Sequence, residues 1–332
     1  METVDITTEY GRNTRKKALF IVNPKSGNTR SLMTIAPTVE ALSNAGYETL
    51  TFTTTCRGDA TRIASEYGAD NDLLVFSGGD GTMNEIIRGV MTVEKEERPV
   101  LGYIPMGSTN DFAMALGLPK RVDQLINTVI KGVPTEIDVG CFNGRHYAYL
   151  ASFGAFTDIS YSTSQESKNS LGFLAYLSSG MNSIANIKPN HTNVIINGEM
   201  LSDDYAFASV SNTPSVVGVI NYARRSRVDL NDGLFEVMLI NYPENAIELS
   251  KIAHGLSTAD FESCELMHRF TCSEVRFILD EPVNWMLDGE RVEAGHDVTI
   301  RNVHSAVKIM LPGPDAKKSF FAPKINYQTI RR

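Results

Sequence analysis

Cysteine is scarce in this 332-residue chain: Cys56, Cys141, Cys264 and Cys272 lie far apart, and no CxxC occurs. Such spacing offers neither a zinc ribbon nor a disulfide framework and points to a reducing compartment. No stretch approaches the roughly 18 consecutive apolar residues of a membrane-spanning helix. The first 17 residues are polar and mixed in charge, without an apolar leader, so the expectation is a cytoplasmic protein. Positive charge is not in excess either. With 31 Lys and Arg against 39 Asp and Glu the net charge is −8, which excludes the broad basic field of a nucleic-acid binder. Contact with a membrane surface through a local patch stays open. Three familiar signatures are also missing: G-x-x-x-x-G-K-[ST], H-E-x-x-H and G-x-S-x-G, and the six histidines carry no metal-ligand spacing.

What is present is ordinary globular composition, 42 % hydrophobic and 21 % charged, over a length that suits two domains. From Ala18 to about Lys131, short apolar runs alternate with amphipathic stretches. Strands are expected at Ala18–Val22, Tyr47–Thr53, Leu73–Phe76 and Val100–Ile104, with helices at Met33–Ala45, Asp59–Tyr67 and Ile86–Val90. That alternation implies βαβ units and a parallel sheet, a Rossmann-like architecture that binds ligands beyond the carboxyl ends of its strands. Beyond about residue 133, strand-like runs dominate: Glu136–Phe142, His146–Phe153, Thr192–Ile196, Tyr205–Val210, Leu234–Leu239, Glu274–Leu279 and Val298–Ile300. Asn143-Gly144 and Asn197-Gly198 are hairpin signals, and helices are expected around Leu171–Asn186 and Glu244–Ala253. The organisation is therefore a polar lead (1–17), an α/β domain (18–132), a mainly-β domain, read as a sandwich (133–311), and a tail (312–332) free to return to the first domain.

Three polar turns come directly after three of the first domain's strands and should gather on one edge. Gly78-Gly79-Asp80-Gly81-Thr82 stands between a buried strand and a helix continuing through Asn84-Glu85. Glycines let backbone amides approach phosphate oxygens, and the helix adds the positive end of its dipole. Asp80 would repel phosphates unless a divalent cation such as Mg²⁺ bridged them. The plain alternative is a strand–helix turn in which Asp80 caps the helix. Asn23-Pro24-Lys25-Ser26-Gly27 and Pro105-Met-Gly-Ser108-Thr109-Asn110-Asp111 supply hydroxyl and amide groups, although each is also ordinary turn chemistry.

Taken in order, Asn23 to Gly27, Gly78 to Thr82 with Asn84-Glu85, and Pro105 to Phe112 resemble the motif set of the diacylglycerol kinase catalytic domain family, and within it the soluble bacterial lipid kinases. Many relatives carry Gly or Thr where Ser108 stands, which preserves a small group there. The resemblance implies a nucleotide-binding domain similar to the phosphofructokinase and NAD-kinase core, a β-sandwich, and an active site between them. It implies ATP contacts at Asn23, Pro24, Lys25, Ser26, Gly27, Thr54, Gly78, Gly79, Asp80, Gly81, Thr82, Asn84, Glu85 and Ser108. On spacing alone, Asp288-Gly289-Glu290 reads as an Asp-Gly hairpin turn. The resemblance instead gives it the general base and an acidic companion, without deciding which of Asp288 and Glu290 takes the proton. Asp229 to Leu234 likewise reads as a turn. Here the resemblance implies a structural Mg²⁺ held by the Asp232 carboxylate and the carbonyl oxygens of Asp229 and Leu234. The implied activity is transfer of the ATP γ-phosphoryl group to a hydroxyl of diacylglycerol or a similar lipid, met by peripheral contact with a membrane. Phe173, Leu174, Tyr176 and Leu177 are candidates to hold acyl chains, and relatives suggest a homodimer. The alternatives are an NAD kinase and a non-catalytic nucleotide- or lipid-binding protein.

Overall fold

Residues 16–155, 187–213, 215–216, 220–221, 229–258 and 260–313 are described by a computed structural model. The expected helix at Leu171–Asn186, with its acyl-chain candidates, and residues 314–332 of the tail lie outside the described residues.

The first half alternates as its sequence pattern requires: β1 (Lys16–Val22), α1 (Ile35–Asn44), β2 (Tyr47–Thr53), α2 (Asp59–Tyr67), β3 (Leu73–Gly78), α3 (Asp80–Val90), β4 (Val100–Pro105), α4 (Asp111–Ala115) and α5 (Val122–Lys131). β1 pairs in parallel with both β2 and β3, and β3 with β4. Ala18 to Val22 are completely buried because both faces of the sheet are covered. Leu19, Ile21, Leu74 and Phe76 face Ile63 of α2 and Ile86 and Ile87 of α3. The alternate residues Ala18, Phe20, Val22 and Val75 face Leu42 of α1 and Leu125 and Val129 of α5. Because these strands run parallel, every carboxyl end, and so every polar turn, lies on one edge.

The second half contains β5 (Val133–Phe142), β6 (Arg145–Tyr147), β7 (Leu150–Gly154), β8 (Asn190–Ile196), β9 (Glu199–Ser211), β10 (Ser215–Val216), β11 (Ile220–Asn221), β12 (Phe235–Asn241), α6 (Ala246–Thr258), β13 (Met267–Cys272), β14 (Glu274–Leu279), β15 (Asn284–Leu287), β16 (Glu290–Glu293) and β17 (Asp297–Leu311). Its core surrounds the only tryptophan: Trp285 is fully buried against Phe142, Phe153 and Phe277. Asn143-Gly144, Asn197-Gly198 and Asp288-Gly289 each take positive φ at both residues, the backbone of a two-residue hairpin.

The two halves share a sheet. The strand path runs β16-β15-β7-β9-β8-β14-β17-β4-β3-β1-β2, with Ile309 of β17 beside Leu101 of β4. Ile137 and Val139 of β5, with Val307, Ile309 and Leu311 of β17, pack into the first half's core. β17 thus already returns to the sheet of the first half, and β5, which begins at Val133, packs into the same core. β17 is far longer than Val298–Ile300 because its pairing with β5 shifts register between Val303 and Val307, which breaks the alternation. Among the described residues no helix is long and apolar enough to cross a membrane.

Candidate active site

The three turns meet. Asn23 Nδ2 donates to Thr82 Oγ1 at 3.0 Å, joining the first turn to the second, and the Met106 amide donates to the Gly78 carbonyl at 2.7 Å, joining the second to the third. Gly79 and Gly107 lie so close that a Cβ on Gly79 would stand 3.0 Å from the Gly107 Cα. Gly27, at φ +60°, presses against the Met106 carbonyl, so any side chain there would be strained and in collision.

Beside these turns lies a cavity of about 390 Å³, lined by Asn23, Lys25, Ser26, Thr54, Gly79, Gly81, Thr82, Glu85 and, from the second half, Glu290. Thr55, Cys56, Arg57 and Ala60 complete its wall. The start of α3 adjoins this cavity, placing its helix dipole where an anion would sit. Pro24, Gly27 and Gly78 shape the turns around it. Ser108 lines instead a second hollow of about 610 Å³, with Thr109, Asn110, Arg30, Met33 and Lys120. Glu85 has a structural task as well: its two carboxylate oxygens accept the Gly58 and Ala60 amides at 2.9 and 3.1 Å, fastening the β2–α2 loop to α3.

Asp288 and Glu290 stand in different surroundings. Asp288 is 4 % exposed. Its carboxylate accepts Asn84 Nδ2 at 2.8 Å and the backbone amides of Ala148, Tyr149 and Leu150 at 2.5, 2.9 and 3.0 Å. Burial pushes this carboxyl up, and Asn84 and the three amides pull it down. Every lone pair facing the protein is engaged, and the group links α3 to the segment before β7. Glu290, two residues later at the start of β16, has a 14 % exposed side chain and opens on the cavity. Its Oε2 pairs with Arg145 Nη2 at 2.8 Å and with Arg57 Nη2 at 3.1 Å. Sequence reasoning missed both arginines, because neither belongs to a recognisable motif.

Asp80 caps a helix, but α4 rather than its own: its carboxylate accepts the amides of Asp111 and Phe112 at 3.3 and 3.4 Å. Burial, with the Asp111 carboxylate beside it, pushes Asp80 from 3.8 up to about 6. Burial likewise pushes Asp111 up. Asp111 Oδ1 and Asn84 Oδ1 are buried oxygens without a protein hydrogen-bond partner. Two close carboxylates and unsatisfied oxygens are the chemistry of a hard divalent cation. No group of three His, Cys, Asp or Glu among the described residues could hold one alone, so further ligands would come from phosphates and water, as is usual for Mg²⁺.

The second expected metal set is closed on itself. Asp232 Oδ1 accepts the Leu234 amide at 2.9 Å, Asp229 Oδ1 the Asn231 amide at 3.1 Å, and the Leu234 carbonyl accepts Asn302 Nδ2 at 3.2 Å. The turn is also fastened by Asp138, fully buried, which accepts the Gly233 amide at 2.7 Å and His304 Nδ1 at 3.0 Å. Its oxygens suit a hard cation, and these hydrogen bonds hold them in place.

Ionised Asp80 carries a stability cost whose sign comes from its shift. The folded state holds this proton more tightly than the unfolded chain, whose value is 3.8, so the group favours folding below about pH 4 and that contribution is lost as pH rises through about 6. Asp80→Asn keeps an acceptor for the α4 amides. It is expected to gain about 1–3 kcal/mol at pH 7.5 and to match wild type near pH 4, read by urea unfolding without divalent ions. Equal stabilities at both pH values would remove the buried-charge account.

Comparison with known proteins finds two family matches along the chain. The family described as "Diacylglycerol kinase catalytic domain" matches residues 17–142, and "YegS C-terminal NAD kinase beta sandwich-like domain" matches residues 155–311. The diacylglycerol kinase of Bacillus subtilis (strain 168) is 34 % identical over 277 residues, 83 % of this chain and 90 % of that one. The diacylglycerol kinase of Staphylococcus saprophyticus is 34 % identical over 239 residues, covering 72 % of this chain and 77 % of its own. A crystal structure of a diacylglycerol kinase from Bacillus anthracis shares the fold, with a TM-score of 0.69 and 21 % identity over 92 % of this chain and all of that one.

Proposed function

The chain belongs to the diacylglycerol kinase family and is therefore an ATP-using lipid kinase, and we propose that it phosphorylates the free hydroxyl of diacylglycerol or a similar lipid, giving phosphatidic acid in the first case. One observation carries the site: Glu290 of the β domain lines the same cavity as Asn23, Gly79 and Thr82 of the nucleotide-binding domain. A carboxylate thus faces glycine-lined turns across a space sized for phosphates.

In this reading the nucleotide lies across Asn23, Lys25, Ser26, Thr54 and Gly79 to Thr82, its phosphates met by backbone amides and by the N-terminus of α3. Asp80 and Asp111 would hold Mg²⁺, which when bound neutralises phosphate charge. Glu290 accepts the proton of the lipid hydroxyl while that oxygen bonds to the γ-phosphorus and the bond from phosphorus to the β,γ-bridging oxygen breaks, releasing ADP. Asp288 holds Asn84 and the 148–150 amides and thereby sets where Glu290 stands. A second cation at Asp229, Asp232 and Leu234 would brace the β domain outside the transfer. The acceptor is reached by peripheral contact with a bilayer.

Transfer of ³²P from γ-labelled ATP tests the proposal, with mixed micelles of diacylglycerol, monoacylglycerol, phosphatidylglycerol, ceramide or a sphingoid base, and NAD as a soluble control. The expected result is labelled phosphatidic acid, lost on chelation of divalent ions and restored by Mg²⁺. Label on NAD, or on no lipid of the panel, would overturn the assignment.

A further inference from the structure

The two arginines on Glu290 differ in how they are held. Arg145 stands on β6 with its side chain 32 % exposed, and burial with the charges of Arg88 and Arg57 pushes it down against the opposing pull of Glu290. Two guanidinium groups thus meet on one carboxylate, with the charge of Arg88 also acting on Arg145. Arg57 sits on the β2–α2 loop, and its side chain is 73 % exposed. The backbone of that loop is tied down on both sides of it: Asp59 Oδ2 accepts the Thr55 amide and hydroxyl at 2.8 and 2.6 Å, and Glu85 accepts the Gly58 amide at 2.9 Å. Between these anchors the long side chain reaches over the cavity rim.

Solvent reaches the arginine side of the Arg57–Glu290 pair and screens it, so it holds less firmly than a fully buried pair. A terminal phosphate brings more charge and three oxygens, and the fork of a guanidinium matches it better than it matches one carboxylate oxygen. We propose that Arg57 is a latch that reads the outermost phosphate: it pairs with Glu290 when the cavity is empty and moves to the γ-phosphate when ATP fills it, leaving Glu290 held by Arg145 alone and turned to the acceptor hydroxyl. This rests on the lipid-kinase reading and adds to it an order of events, nucleotide before proton acceptance, and a means of telling ATP from ADP. Arg57 touches the transferred group, whereas Arg145 is a positioning residue.

Isothermal titration of the full chain with ADP and with the β,γ-imido analogue of ATP, in Mg²⁺, separates the roles. Arg57→Gln is expected to weaken the triphosphate analogue by about 10–100-fold, the range of a lost charge-assisted contact, and ADP by less than about threefold. Arg145→Gln is expected to keep the wild-type preference for the triphosphate while lowering kcat, with Arg145→Lys restoring part of that loss. Equal weakening of both nucleotides by Arg57→Gln would mark a structural role and overturn the latch, as would no change in either. Wild-type chain that binds the analogue but shows no transfer to lipid would leave the latch standing and overturn the function on which its second half rests.

Discussion

Glu290→Gln is expected to lower phosphoryl transfer by about 10²–10⁴-fold, the range for losing a positioned proton acceptor, with ADP affinity within a few-fold of wild type. Glutamine has the same shape but cannot take a proton at neutral pH. Glu290 is partly exposed on β16, the strand at one end of the sheet path, so the fold should tolerate the change. The loss should appear in single-turnover transfer at saturating ATP and lipid, which separates chemistry from binding. A variant retaining more than about a tenth of the wild-type rate would free Glu290 from the reaction.

Asp288→Ala should do something different: unfold the protein more easily by about 3–5 kcal/mol. The change leaves Asn84 and three backbone amides without their acceptor, all in the buried junction between α3 and β7. Each such orphan costs roughly 1–3 kcal/mol before relaxation. Alanine is also strained at φ +48°. Asp288→Asn tolerates that backbone and should lose less. Trp285, buried three residues earlier on β15, gives a fluorescence signal for the transition, to be compared with circular dichroism. Full stability in the alanine variant with transfer abolished would return Asp288 to the reaction.

The contrast between these neighbours shows where reading the sequence stops. Asp288 and Glu290 are two residues apart with the same chemistry. Only the hairpin, with φ +48° and +85° at Asp288 and Gly289, turns one inward and the other to the cavity. The glycine turns were legible because glycine and strand periodicity are local signals. Ala18–Val22 and Leu73–Phe76 announce buried strands, so the turns at their carboxyl ends must lie on the ligand edge. Arg57, Arg145 and Asp138 were not legible, since each matters through a partner 95 or more residues away. Thr54 came only through family likeness. β9 is longer than its apolar part because Glu199 to Asp204 is mostly exposed, Met200 included, yet pairs with β8 throughout.

The strand β17 has a consequence for biosynthesis. Leu101 leaves the ribosome long before Ile309 exists, yet the two are neighbours in the finished sheet. While translation proceeds, the β4 side of the nascent α/β half has an unfilled place, and the Ile137 and Val139 pair lacks the partners it later buries against. Contacts so distant along the chain slow folding and leave an apolar seam open to chaperones or to other nascent chains until the last strand arrives.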